Sequence, residues 1–486
     1  MKTLADLITY FKLSITGSDL EPGLVVEGLS NHTGVLQPNW GFVALEGVKQ
    51  HGADYWREAA ERGACCILSD KPIANCELPV LVIDKLNAQL AALADWFYAS
   101  PSKKIQVIGI TGTNGKTSTT HYLAQMLEDL GYPTGMIGTL GNGRYGQLQS
   151  SANTTPDVLL VQYWLAQFVQ QGLKFAVMEV SSHGLALGRI RCVEFACVAL
   201  TQVTRDHLDF HADVADYQKT KTRLFTEYQA KQRVVNRDDA IGRRLLNQPN
   251  TLSYSLKDPQ ADLLLLNLNL TPQGLQGRLA YQSQTLDFTS ALMGQFNAEN
   301  LLCAVGCLVS LGFSLAEIAS NIASLEAVKG RMQTLNLRTK SVMALVDYAH
   351  TPDALEQVLL SLRAHLPQGQ IWLVFGCGGD RDKGKRPLMG EVAERLADQI
   401  IVTSDNPRTE PAQAILDDIV LGMTAETRQR VYKIVDRKTA IETALQAAKP
   451  GDLVLVAGKG HEQTQEIQGT KIAFSDQQVI EQWQAN

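Results

Sequence analysis

The chain has 486 residues, 45% of them hydrophobic and 19% charged, with a net charge of -6. That length suggests roughly three domains around ordinary globular cores, large enough to need no covalent staples. The charge balance excludes a general nucleic-acid or anionic-membrane binder, so any anionic ligand must be held by local basic groups.

Residues 1–100 mix short strand-like runs, at 24–26, 41–45, 65–68 and 80–83, with one helix-like run at 54–62. This pattern reads as a small α/β domain. Residues 101–104 are polar and read as a linker. The β-branched run 105–110 leads into glycine-rich sequence and a helix expected over 118–130. Strand-like runs at 175–180, 197–203 and 233–236 then alternate with helical ones, which argues for a parallel sheet built from βαβ units. Residues 264–284 alternate Leu with Asn, Thr and Gln, like an antiparallel ribbon, and helical patterning returns at 297–311 and 315–324. Gly330 marks a second boundary, beyond which strands are expected at 342–346, 371–375, 399–403, 431–435 and 453–457. The longest apolar stretch, 301–315, is interrupted by Gly306, Ser310, Gly312 and Ser314 and reads as a buried core helix, not a membrane span. The eight cysteines make no CxxC pair and no zinc-spaced Cys/His cluster, which reads as free thiols in a reducing compartment. A soluble, cytoplasmic, monomeric α/β protein is expected, with domains at 1–100, 101–330 and 331–486.

Gly112-Thr113-Asn114-Gly115-Lys116-Thr117 lies between an expected strand and an expected helix, the context that a phosphate loop requires. Its glycines let backbone N–H groups turn in on phosphates, Lys116 supplies a point charge, and the Thr117 hydroxyl can ligate Mg²⁺. The helix N-terminus adds partial positive charge. The common spacing GxxxxGK[ST] needs glycine where Ile110 stands, so this loop is a shortened form. Glu179 and His207 lie at or just beyond the carboxyl ends of expected parallel strands, where open α/β sheets bind ligands. Lys221 falls on an expected helix. Taken singly, an acid, a histidine and a lysine at such positions are more often solvated or structural. Together they supply what a metal–ATP site lacks.

The segments GTNGKTS, ANTTPD, MEVSSHG, TRDHLDFH, GRM, VDYAHTPDAL, FGCGGDRDKGKRPLMG, DNPRTE and AGKGHE resemble the Mur ligase family in sequence and in order, from about residue 109 to 466. Those are ATP-dependent ligases that build the peptide of bacterial peptidoglycan precursors. The first hundred residues match more weakly. The resemblance implies a three-domain α/β architecture, with a central P-loop ATPase domain on a parallel sheet and a Rossmann-like C-terminal domain. It implies ATP and Mg²⁺, with a catalytic set of Lys116, Glu179, His207 and Lys221. It assigns Gly112, Thr113, Asn114, Gly115, Lys116, Thr117 and Ser118 to the ATP phosphates and His350 to the nucleotide. Thr117, Glu179 and His207 fall near the metal, and Lys221 matches a lysine that is carbamylated in the family.

Asn153, Thr154, Thr155, Ser181 and Arg189 match positions that hold UDP-MurNAc-L-Ala-D-Glu. Leu29 and Asn31 align with uridine contacts, where Ser30-Asn31-His32-Thr33 departs from the usual Asp-Ser-Arg pattern. Leu187 departs where relatives can carry Gln, and is left out of the site. Arg381, Asp405, Asn406, Pro407, Arg408, Gly458 and Glu462 match the amino-acid pocket. The string DNPR resembles members that accept meso-2,6-diaminopimelate, whose distal carboxylate lysine lacks and an arginine fork can grip. In the family, the γ-carboxylate of D-Glu attacks the γ-phosphate of ATP, and the amine then displaces phosphate from the acyl phosphate. A carboxylate or a histidine could take the amine's proton. Two other readings share the phosphate loop: a related amide ligase such as folylpolyglutamate synthetase, and a nucleotide-binding regulator. The separate basic cluster from Arg381 to Arg386 argues against the regulator, because a bare switch needs no second anion pocket.

Overall fold

The structure, a computed structural model, describes residues 2–13, 21–47, 50–207, 209–337, 342–366 and 368–485. The chain divides into two units, Met1–Asp262 with Cys303–Ser314, and Leu263–Leu302 with Leu315–Asn486.

In the first unit, β1 (Lys2–Thr3) pairs antiparallel with β2 (Val25–Val26). The helix Leu4–Phe11 starts at a reciprocal cap, in which Thr3 accepts the Asp6 N–H and Asp6 accepts that of Thr3. A parallel sheet follows in chain order: β3 (Gly28–Ser30), β4 (Trp40–Ala44), β5 (Cys66–Ser69) and β6 (Val80–Val82). One face packs on the helix Leu86–Phe97 and on Val158 and Leu159 of the helix Val158–Gln170. The sequence reading found the strands of this region except β1 and β3, and one of its helices, Trp56–Glu61. It missed Leu86–Phe97, although Leu86, Leu90, Leu93, Ala94 and Phe97 recur at helical spacing and are all buried.

The larger sheet of this unit comprises β7 (Gln106–Thr111), β8 (Thr134–Gly138), β9 (Gly141–Arg144), β10 (Phe175–Glu179), β11 (Phe195–Leu200), β12 (Ala230–Asn236) and β13 (Thr251–Ser255). Their order is β13-β12-β11-β7-β10-β8-β9, and only the β8–β9 pair is antiparallel. The central strands are apolar on both faces because helices cover both. From β7 the chain first runs outward to β8, and the later strands β11 to β13 build away on the other side. The carboxyl end of β7 is therefore a topological switch point, where such sheets open a crevice.

The second unit holds an antiparallel meander, β14 (Leu263–Thr271), β15 (Gly274–Tyr281) and β16 (Gln284–Ser290), as the Leu/polar alternation predicted. Its main sheet comprises β17 (Gln333–Asn336), β18 (Met343–Asp347), β19 (Ile371–Phe375), β20 (Gln399–Val402), β21 (Tyr432–Lys433) and β22 (Leu453–Ala457). The order is β17-β18-β22-β19-β20-β21, parallel except for β17. Apolar clusters fill both faces. A hairpin of β23 (Thr464–Ile467) and β24 (Thr470–Ala473) follows. The apolar stretch 301–315 is not one element: the helix Gln295–Ser310 ends within it and Leu315–Ile322 begins anew. Among the described residues, no helix is long and apolar enough to cross a membrane.

His365 ends the helix Pro352–His365 and joins it to the meander from a fully buried position. Its Nε2 accepts the Gly294 N–H at 2.7 Å, and its Nδ1 lies 2.6 Å from the Thr271 carbonyl. A carbonyl only accepts, so the proton sits on Nδ1 and the ring is neutral. Burial lowers its pKa, against a smaller opposing pull from the Thr271 carbonyl. The folded value is below the unfolded one, so this contribution is present above about pH 6.5 and is lost as pH falls through the folded value. His365→Gln can replace both bonds without titrating. Its melting temperature is expected to fall less steeply below about pH 6.5 than that of the parent. Equal slopes in thermal melts across that range would show that His365 is not the titrating joint.

Candidate active site

β7 delivers the chain to Gly112, which has φ +151°. A Cβ there would come within 1.9 Å of the Thr201 hydroxyl, just past β11, so only glycine fits. Gly115, at φ +85°, turns the chain into the helix Lys116–Asp129. Lys116 Nζ curls back to donate to the carbonyls of Gly112 (2.9 Å) and Thr113 (2.8 Å). Two later segments brace the loop. The Thr201 hydroxyl donates to the Asn114 carbonyl at 2.6 Å, and the Thr113 hydroxyl pairs with that of Tyr217 at 2.9 Å.

Glu179, the last residue of β10, is buried. Its Oε2 accepts the Thr117 hydroxyl at 2.8 Å and its Oε1 accepts the Thr139 N–H at 2.8 Å. Burial raises its pKa, opposed by the Lys116 charge and by these bonds. Lys221, on the helix Val214–Thr226, is also buried, and its Nζ donates to the Gly112 carbonyl at 2.7 Å. Burial first, then Lys116, holds its pKa well below the usual lysine range. His207 is exposed at φ +51°, its Nε2 3.5 Å from the Asp206 carboxylate and its ring edge-on to His183 at 4.9 Å. The fold thus brings Thr117 to Glu179, and Lys116 and Lys221 to one carbonyl. Among the described residues it joins His207 to none of them by a hydrogen bond. No group of three or more His, Cys, Asp and Glu among the described residues is arranged to hold a metal. The hydroxyl and carboxylate of Thr117 and Glu179 are hard oxygen donors of the kind that suits Mg²⁺. Ser118 lies half-buried on the first turn of the same helix.

The expected dipeptide residues gather at the carboxyl end of β10. The buried Thr155 hydroxyl donates to the Glu179 carbonyl at 2.9 Å and accepts the Ser181 N–H at 3.0 Å. Arg189 Nη1 donates to the Thr155 carbonyl at 2.7 Å, and the Thr154 hydroxyl lies 3.0 Å from that of Thr139. Asn153 is exposed beside them. Leu29 and Asn31 belong to the smaller sheet's region. The Leu29 side chain is buried and its N–H already donates to the Tyr98 hydroxyl at 3.0 Å, whereas Asn31 is exposed.

In the second unit, the loops after β19, β20 and β22 carry every residue expected at the amino-acid pocket. Asp405, Asn406 and Pro407 are buried. The Asn406 amide donates to Glu462 Oε2 at 2.9 Å, and its Oδ1 accepts from the Glu466 N–H at 2.9 Å. Burial raises the Asp405 carboxyl, with the Arg437 charge opposing. Gly458 has φ +116°, and a Cβ there would meet the Asp405 carboxylate at 2.6 Å. Arg408 Nη1 donates to the Gly379 carbonyl at 2.7 Å, with Nε 3.6 Å from Glu466. A methyl on Gly378 would lie 3.0 Å from Arg408 Nη1 and 3.6 Å from Arg381 Cγ, so both arginines lie beside that glycine. His350, expected at the nucleotide, is exposed after β18 in this unit, its Nδ1 2.8 Å from the Tyr348 carbonyl.

Sequence reasoning assigned no role to Lys459 or to Arg437. The first stands inside the AGKGHE string. The second has no local signal: its partner Asp476 is distant in sequence, and the pair is fully buried with bonds of 2.7 and 2.8 Å. Arg437 also donates to the carbonyls of Ser404 (3.2 Å) and Ala457 (3.0 Å), at the roots of two pocket loops.

Two family descriptions match the chain: "Mur ligase middle domain" over residues 110–308 and "Mur ligase, glutamate ligase domain" over 330–460. The chain is 42% identical over 471 residues to the UDP-N-acetylmuramoyl-L-alanyl-D-glutamate--2,6-diaminopimelate ligase of Chromobacterium violaceum, covering 95% of this chain and 94% of that one. It is also 42% identical, over 463 residues and 94% of each chain, to the Pseudomonas aeruginosa protein of the same name. A solved structure of an enzyme of that name superposes with a TM-score of 0.71 at 33% identity, over 97% of both chains.

Proposed function

The chain belongs to the Mur ligase family of ATP-dependent amide ligases, and on that premise we propose that it joins meso-2,6-diaminopimelate to the D-Glu γ-carboxylate of UDP-MurNAc-L-Ala-D-Glu. The product is a peptidoglycan precursor. The observation that carries this reading is the pairing of two arginines at Gly378 with Glu462 and Asn406 on the adjoining loops. One side suits a carboxylate and the other an ammonium, which is the polarity of a diamino dicarboxylic acid's far end. In this reading residues 1–100 hold the UDP-sugar, 101–330 hold ATP, and 331–486 hold the amino acid. The protein acts as a monomer in the cytoplasm, where ATP and nucleotide sugars are found.

In the first step two anions meet, so Lys116 and the N–H groups of its loop take up charge on the phosphates as the acyl phosphate forms. Thr117, Glu179, His207 and a carbamylated Lys221 would hold Mg²⁺, which when bound would neutralise further phosphate charge. Phosphate release is expected only when UDP-dipeptide and diaminopimelate are supplied together with ATP. Release with either alone, or with a pterin substrate instead, would point to a different ligase.

Burial and then the Lys116 charge lower the Lys221 pKa, which favours the neutral, nucleophilic amine that carbamylation needs. The nitrogen can add to the carbon of CO₂ and lose a proton, giving a carbamate anion near the metal position. Lys221→Ala is expected to lose most activity, and Lys221→Glu to retain some, because it restores an anion there. Full activity in Lys221→Ala, or an unmodified side chain in a nucleotide-bound crystal structure, would take Lys221 out of the site.

A further inference from the structure

Lys459 is fully buried in the loop after β22. Its Nζ donates to Glu462 Oε2 at 2.7 Å, to the Thr464 carbonyl at 2.8 Å and to Asn406 Oδ1 at 3.1 Å. An ammonium has three donors, so its capacity is filled and it has none left for a ligand. The Asn406 amide donates to the same Glu462 oxygen, Oε2. The other oxygen, Oε1, accepts no hydrogen bond among the described residues, and the Glu462 side chain is 31% exposed. Burial alone would push the Glu462 carboxyl up, but the bonds from Lys459 and Asn406 outweigh it and hold it below the usual range. Glu462 is therefore a carboxylate pinned by one oxygen with the other open.

We propose that Lys459 is a positioning residue for amino-acid recognition: it locks Glu462 Oε2 and Asn406 Oδ1 into one frame, so that Glu462 offers Oε1 to an ammonium group of the diamino acid. This rests on the functional reading above. Without Lys459, Glu462 faces the nearby Asp405 carboxylate with less neutralising charge, and its orientation depends on the Asn406 amide alone. The Thr464 carbonyl, where β23 starts, also loses a donor, which loosens the hairpin against the pocket.

The test compares Lys459→Met and Lys459→Gln with Glu462→Gln and with the double variant Lys459→Met/Glu462→Gln, varying each substrate in turn. For the Lys459 variants, KM for diaminopimelate is expected to rise ~30-fold or more. Their kcat at saturation, and KM for ATP and UDP-dipeptide, are expected to stay within about 3-fold. The double variant should be no worse than about its more damaging single parent, because both changes remove the same contact. Parallel rises in all three KM values, losses that multiply in the double variant, or two Lys459 variants that do not fold would each overturn the proposal and make Lys459 a structural lysine. A parent protein that releases phosphate without any diamino acid overturns the functional reading instead, and that result is seen before any substitution is made.

Discussion

Lys116→Ala is expected to slow acyl phosphate formation by ~100- to 1,000-fold or more while leaving UDP-dipeptide binding nearly intact. Lys116 is the cation of the phosphate loop, and its Nζ already rests on the carbonyls of Gly112 and Thr113, at the mouth of the β7 switch point. Its charge is needed most while a carboxylate and a phosphate are brought together. The residues proposed for the dipeptide form a separate cluster around Thr155, Ser181 and Arg189, knit by their own hydrogen bonds. The two meet at Glu179, which feels the Lys116 charge: its carbonyl accepts from Thr155, and its carboxylate accepts from Thr139, whose hydroxyl pairs with that of Thr154. Removing Lys116 therefore pushes the Glu179 carboxyl further up, a small perturbation beside the loss at the phosphates. Calorimetric titration of UDP-dipeptide without ATP reads the first effect, and single-turnover phosphate transfer reads the second. A large loss of dipeptide affinity in a folded Lys116→Ala protein would show that the two sites are not separate.

Diaminopimelate is expected to be preferred over lysine by ~30- to several-thousand-fold in kcat/KM, the usual consequence of losing one desolvated, charge-assisted pair. Arg408 commits one N–H to the Gly379 carbonyl, which aims the planar group along the loop after β19. Arg381 lies beside the same glycine, its Cγ 3.6 Å from where a Gly378 methyl would sit. Arg408→Lys keeps the charge but loses the fork and its backbone anchor, so much of the preference should go with it. Comparable kcat/KM for lysine and meso-diaminopimelate in the parent protein would refute the assignment.

What could be read in the sequence was what is local. The strand, glycine turn and helix around Lys116 are contiguous, and both the βα alternation and the Leu/polar meander of β14 to β16 carry their periods within a few residues. The DNPR string stands out in the sequence, yet the anchor of Arg408 on Gly379 does not, because it joins the loops after two different strands. The same is true of Tyr217 bracing Thr113 and of Lys459 bridging Asn406 to Thr464. Buried polar groups find their partners through the tertiary fold, so no window of sequence displays them. The helix Leu86–Phe97 differs, since its apolar spacing was present and simply lay among shorter strand signals.

The Arg437–Asp476 pair constrains how this region can change over evolutionary time. Losing either partner alone strands a charge in a dry interior. For many buried ion pairs there is an escape, in which both partners are exchanged for well-packed apolar residues at little cost. That path is closed here, because Arg437 also serves the carbonyls of Ser404 and Ala457, which no hydrocarbon could replace as a donor. The two positions are thus expected to stay frozen together while the exposed loops around them drift. A lineage that shifts its preferred amino acid would do so by altering side chains such as Arg408, on a frame that it cannot rebuild.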